Sequence, residues 1–141
     1  MPDNAIIPAS HRDLLTEPRS ISVLVTLMPD GQPQAQAVWV DLEGDNTIIV
    51  NTEIGRQKAK NMARNPLVTV LCLDPTNDDR YIEIRGVVES LTEADGVEVI
   101  ERLSMKYAGQ PFFGPPVAGQ APKSQNRITA RIRPTRVVTR G

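Results

Sequence analysis

Four cations and no acid stand within twelve residues, Gly55 to Pro66 (GRQKAKNMARNP), of a 141-residue chain whose formal net charge is −1. The cluster follows a strand-like run ending at Asn51-Thr52, so it falls where the chain passes from strand to helix. Backbone N–H groups at a helix start favour anions, and the helix dipole adds to that preference. Arg56 and Lys58 at this position oppose the dipole, at a cost of a few tenths to about 1 kcal/mol unless an anion sits between them. Local rules broken without visible compensation tend to mark function. Asn51, Thr52, Arg56 and Lys58 therefore form a candidate phosphate clamp, in which the charged donors make short, strong contacts. A solvated basic helix that keeps the surface soluble is the other reading, and residue types alone leave both open.

The remaining chemistry is sparse. His11 is the single histidine and lies at the start of a terminal helix, where a solvent-facing role is expected over a catalytic one. One histidine and one cysteine disfavour a multi-histidine metal site, a Ser-His-Asp hydrolase and a disulfide. Cys72, in the apolar run Val68 to Leu73, reads as a buried, inert thiol. No nucleophile elbow, Walker loop or GxGxxG loop is present. Glu83 and Glu89 alternate with apolar residues and read as a wet strand face. No catalytic side chain and no metal site are assigned. A cofactor bringing its own reactivity fits what remains. Trp39, the only tryptophan, is expected in a core or an interface rather than stacked on a ligand.

These residues need a scaffold to hold them. Forty per cent hydrophobic and 23% charged residues are ordinary for one soluble globular domain, here 1–141. The near-neutral charge argues against nucleic acid as the main partner and favours a small anionic ligand. No apolar run of membrane-spanning length and no signal pattern occur, so no membrane partner is expected and a cytoplasmic location is the default.

Helix starts with capping-box patterns are expected at Ser10/Asp13 and Thr92/Asp95. Strands are expected over Ser20–Met28, Gln34–Leu42, Thr47–Thr52, Leu67–Leu73, Arg80–Leu91 and Arg127–Val138. Arg56–Arg64 reads as a short helix burying Ala59, Met62 and Ala63, with Lys60 and Arg64 solubilising. Val97, Ile100, Leu103 and Tyr107 space out as one face of a longer helix. Pro75–Asp79 reads as a loop, and Gly86 in mid-strand as a bulge or close approach. The Pro/Gly-rich stretch 108–126, with Phe112 and Phe113, reads as a functional or disordered loop. Six strands with short helices suggest a mainly β, antiparallel barrel.

Several blocks together resemble a known family. They are Ile7-Pro8-x-Ser10-His11-Arg12-Asp13-Leu14-Leu15, Met28-Pro29-Asp30-Gly31-Gln32-Pro33-Gln34, Val38-Trp39-Val40-Asp41, Asn51-Thr52 through Gly55-Arg56-Gln57-Lys58 to Asn65-Pro66, Tyr81 to Gly86, and Arg133 to Val137. The chain resembles the pyridoxamine 5'-phosphate oxidase-like FMN-binding split β-barrel family, and within it the F420-dependent (deazaflavin) branch. The resemblance implies a six-stranded antiparallel split β-barrel that forms a homodimer, with cofactor sites at the subunit interface. It implies that Asn51, Thr52, Arg56 and Lys58 meet the cofactor phosphate, that Gln34 to Val38 line its ring, and that Tyr81 approaches from the other subunit. Val50 and Gln57 complete the implied binding set.

Ala37 departs from relatives that carry a small polar residue nearby, so a backbone N–H would serve there. Lys60 or Lys123 would meet the carboxylates of an F420 tail. The implied activity is hydride transfer from reduced F420 to an electron-poor small molecule, such as an enone, quinone or tetrapyrrole. An FMN-dependent oxidase or reductase and a non-enzymatic F420/FMN carrier are the rival expectations.

Overall fold

The computed structural model describes residues 4–141, so the first three residues of the expected 1–141 domain lie outside the described part. Strand β1 (Ile21–Leu27) alternates as the sequence does, with Ser22, Leu24 and Thr26 buried and Val23, Val25 and Leu27 half-covered. It pairs on one side with β2 (Pro33–Ala37), through the Pro29-Asp30-Gly31 turn, and on the other with β5 (Leu67–Asp74). Beyond β5 come β6 (Asn77–Thr92), β7 (Arg127–Arg140), β4 (Thr47–Glu53) and β3 (Asp41–Glu43). All pairings are antiparallel, in the order β2-β1-β5-β6-β7-β4-β3.

Seven strands therefore stand where six are expected, because the Gln34–Leu42 arm breaks in two. The cause lies in α3 (Gly96–Ala108). Its Tyr107 hydroxyl accepts from the Val40 N–H at 3.3 Å and donates to the Val40 carbonyl at 3.0 Å, and Lys106 Nζ donates to the same carbonyl at 2.7 Å. With its backbone groups satisfied by side chains, Val40 leaves the β1 ladder, and Asp41–Glu43 pairs with β4 instead. Only residues 38–40 join the two end strands of the sheet, a reach of at most about 15 Å. Seven strands laid flat would span about 29 Å. The sheet must curl, and it does so without β2 pairing to β3.

The core lies inside that curl. Leu24, Ile48, Val50, Val70, Cys72, Ile82, Ile84 and Ile132 pack with Ile7, Leu14 and Leu15 from the N-terminal segment. Burial pushes the Cys72 thiol up to about 11, in keeping with an inert group. Gly86 sits at a register shift between β6 and β7, where a Cβ would meet Ile132 at 2.6 Å and the Arg133 carbonyl at 2.8 Å. This is the close approach read from its mid-strand position.

Other expectations are corrected. Neither capping box forms. Ser10 Oγ bonds His11 Nδ1, and Asp13 instead takes the Arg80 guanidinium at 2.6 Å, which holds its carboxyl below the usual range. Helix α1 is only Asp13–Thr16. His11 is buried rather than solvent-facing, its Nε2 lying 3.0 Å from the Arg140 carbonyl oxygen, so it anchors the two chain segments. The Pro75–Asp79 loop shrinks to a turn at Pro75-Thr76, because the Asp74 carboxylate accepts from Thr76 N–H and Oγ1.

In α2 (Gln57–Arg64) the buried face is Ala59, Asn61 and Met62, while Ala63 is exposed. Arg64 is not merely solubilising, since it donates to the Leu27 carbonyl and to Asn61 Oδ1. In α3, Val99 rather than Val97 turns inward with Ile100 and Leu103.

Asp95 does not cap α3 with its side chain; Arg131 on β7 takes it at 2.6 Å and Glu43 at 2.9 Å, tying α3, β3 and β7 together. Both carboxyls are held below their usual values, chiefly by that hydrogen bond. A lowered folded-state pKa contributes stability above the unfolded value and loses it as pH falls through the folded one. Arg131→Met is expected to cost about 1–2 kcal/mol at pH 7, the size of two partly exposed pairs. The deficit should shrink below about pH 4, as urea melts of both proteins at the two pH values would register.

Candidate functional site

Where β4 gives way to α2, the chain turns through Ile54-Gly55, and Arg56 becomes the helix N-cap without a side-chain cap bond. No acid stands in the first turn, so the helix start presents its free N–H groups beside cations. A cleft of about 350 Å³ opens here. Its polar lining is Asn51, Thr52, Arg56, Lys58 and Arg127, and its apolar lining Ala37, Val38, Trp39, Ile100, Leu103 and Phe112, with the Arg127 guanidinium 5.1 Å over the Phe112 ring.

Charge on the polar lining is only partly balanced. Arg56 Nε pairs with Glu53 at 2.8 Å across an exposed surface. Lys58 Nζ reaches Gln36 Oε1 at 3.2 Å, and Arg127 Nε donates to Asn51 Oδ1 at 2.9 Å. Asn51 is itself fixed by donating to the Gly96 carbonyl and to Thr129 Oγ1. Burial pushes the Lys58 pKa down, and the Arg56 and Arg127 charges push it further the same way. Arg127 is lowered too, again chiefly by burial. Thr52 Oγ1 is buried without a hydrogen-bond partner among the described residues. An unpaired buried hydroxyl costs about 1–3 kcal/mol. Ammonium and guanidinium groups lining one cleft beside a helix start are the donor set of a phosphate site. The residues present fit the phosphate of a flavin or deazaflavin.

Lys58 must be charged to hold an anion, and its pKa lies below the ordinary 10.5. Affinity for inorganic pyrophosphate should therefore fall as pH rises from 7 toward 10. Lys58→Arg, which keeps its charge throughout that window, should flatten the profile in calorimetric titrations.

Of the nine residues assigned to cofactor binding from the sequence, the cleft gathers Val38, Asn51, Thr52, Arg56 and Lys58. Val50, beside Asn51 on β4, is buried in the core. Gln34 and Gln57 turn to Asn61, whose Nδ2 donates to Gln34 Oε1 at 3.3 Å and whose Oδ1 accepts from Gln57 Nε2 at 2.8 Å. Tyr81 lies on β6 opposite Leu73 and Arg140, outside the cleft lining. Lys60 is exposed on α2, and Lys123 sits over the Phe112 ring at 4.2 Å.

Arg127 was not foreseen, because only the β4–β7 register, which sets it opposite Glu53, brings it to the clamp. Phe112 is held against the cleft by the Glu101 carboxylate, which accepts from the N–H groups of Phe112 at 3.2 Å and Phe113 at 2.8 Å. Trp39 packs against the Ile49–Leu103 cluster, as its core reading expects, and also lines the cleft.

No group of three or more His, Cys, Asp or Glu among the described residues is placed to hold a metal ion. No helix among them is long and apolar enough to cross a membrane.

The pyridoxamine 5'-phosphate oxidase family model matches residues 7–141. The chain belongs to this family. Among solved structures, an F420 reductase is 31% identical over 94% of this chain and 98% of its own, with a TM-score of 0.77. A conserved hypothetical protein from Mycobacterium tuberculosis is 24% identical over 99% and 88% of the two chains, at a TM-score of 0.71. HupZ from Group A Streptococcus is 17% identical over 95% and 94%, at a TM-score of 0.68. The latter two share the fold. No curated protein sequence matches the chain. Family membership identifies the curled, open seven-stranded sheet as a split barrel of the pyridoxamine 5'-phosphate oxidase type, flavin-related and oxidoreductase in character.

Proposed function

We propose that this pyridoxamine 5'-phosphate oxidase family member is an F420-dependent reductase acting on an electron-poor small molecule. The observation that carries the reading is one cleft lined both by the cations Arg56, Lys58 and Arg127 and by the uncharged Val38, Trp39, Ile100, Leu103 and Phe112. The 31% identity to an F420 reductase supports the deazaflavin over FMN. Arg56 and Lys58 grip the phosphate, Arg127 adds a third positive charge, and Asn51 holds Arg127 in place. Trp39, Ile100, Leu103 and Phe112 exclude water from the ring, which matters because the walls offer no titratable group. When bound, F420 supplies a hydride; the protein supplies position and electrostatics.

A homodimer belongs to the same proposal. Val23, Val25 and Leu27 of β1, with Leu71 of β5, give the sheet an apolar outer face that reaches the cleft through Ala37. A second copy on that face would finish enclosing the cofactor.

Dissociation constants for F420 and FMN measured side by side test the assignment. F420 is expected to bind at least tenfold more tightly, and the protein to oxidise reduced F420 when a quinone is supplied. Tighter FMN binding would move the protein to the FMN-dependent reading, F420 binding without turnover on any acceptor would make it a carrier, and binding of neither would end the clamp.

A further inference from the structure

We infer that Trp39 is the face on which the planar ring of the bound cofactor stacks, with Tyr107 as the positioning residue behind it. The inference rests on the cleft being a flavin or deazaflavin site. Trp39 lines the cleft yet is only half-buried, and its indole lies parallel to the Tyr107 ring, 3° between planes and 5.5 Å between centroids. Both rings belong to the apolar cluster of Ile49, Val99, Ile100 and Leu103.

What separates this pair from ordinary core packing is how firmly its backbone is pinned. Tyr107 Oη engages both the N–H and the carbonyl of Val40, the residue after Trp39. Lys106 Nζ donates to that carbonyl and to Leu15 O, with Asp41 3.6 Å away, and lies 4.7 Å over the Tyr107 ring. The Val38 N–H on the other side goes to Ser22 O at 3.0 Å. The indole is thus fixed from below and from both chain neighbours, at the point where β2 is interrupted before β3 begins. An aromatic surface ordered in advance binds a flat π-system without the entropy cost of immobilising it on contact. The phosphate falls to the cations Arg56 and Lys58 rather than to the indole, so ring and phosphate affinities should separate by residue.

Binding of F420, of the phosphate-free 5-deazaflavin riboside and of inorganic pyrophosphate to Trp39 and Tyr107 variants tests this. Trp39→Leu should weaken F420 and the riboside at least tenfold and leave pyrophosphate within twofold. Tyr107→Leu should weaken both ring ligands severalfold, Tyr107→Phe, which keeps the stacked ring but loses the hydroxyl bonds to Val40, should weaken them less, and in the Trp39→Leu background Tyr107→Leu should add nothing. Should Trp39→Leu not fold, Trp39→Phe serves, with a smaller loss confined to the ring ligands. Equal losses for riboside and pyrophosphate, or ring affinity independent of Trp39 in a protein that binds F420, would overturn the inference and leave the clamp standing. A native protein that binds neither F420 nor FMN would sink the proposed function, and this inference with it.

Discussion

Arg56→Ala/Lys58→Ala should bind F420 roughly a hundredfold more weakly than the native protein, about 2.8 kcal/mol, while folding as well or better. Each cation removed is one charge-assisted contact to phosphate, and such contacts are worth about 1.5–3 kcal/mol. In the free protein the same groups are a burden. Burial and the neighbouring cations depress the Lys58 pKa, and the Arg56–Glu53 pair is an exposed i,i+3 contact worth a few tenths of a kcal/mol at most. Truncation removes like-charge repulsion and loses almost nothing in return. Opposite movements of affinity and melting temperature would mark residues kept for binding at the expense of stability. Isothermal titration and a thermal melt on one preparation suffice. A variant whose affinity is unchanged would reduce the cluster to a solvated basic helix.

Gly96→Ala should be the most damaging single change to the fold. A Cβ at Gly96 would lie 2.3 Å from the Arg127 carbonyl oxygen and 2.5 Å from its carbon. Those atoms are backbone in β7, so no rotamer change relieves them, and the start of α3 must move away from the sheet. Overpacking of this kind costs about 3 kcal/mol, which for a domain of this size lowers the melting temperature by roughly 10 °C. The displacement also breaks the Asn51–Gly96 hydrogen bond that helps orient Arg127. Cofactor affinity should therefore drop even at temperatures where the variant is fully folded, and equilibrium binding at 10 °C would separate the two effects.

Local chemistry in the sequence carried the β-rich architecture and half the site. β1, β4, β5 and α2 stand within a residue or two of their expected bounds because alternation, turn residues and Pro66 act over a few neighbours. That Arg56 and Lys58 stand together at a helix start was legible for the same reason. What escaped depends on partners far along the chain. The break at Val40 is made by Tyr107, the failed caps at Asp13 and Asp95 by Arg80 and Arg131, and the arrival of Arg127 at the cleft by strand register. Asn61 shows the same limit in reverse. A polar residue beside an apolar stripe looks exposed, yet it is wholly buried because Thr26, Gln34 and Gln57 lie within reach of its amide. That network also draws Gln34 and Gln57 away from the ligand.

The single thiol offers a practical opening. Cys72 is enclosed by the barrel, and with its titration near 11 roughly one part in ten thousand is ionised at neutral pH. Maleimides and other sulfur-directed dyes should leave the native protein unlabelled. A cysteine introduced at an exposed position such as Ser124 would then take up a fluorophore alone, turning the segment bordering the cleft into an optical reporter with no need to delete the native sulfur.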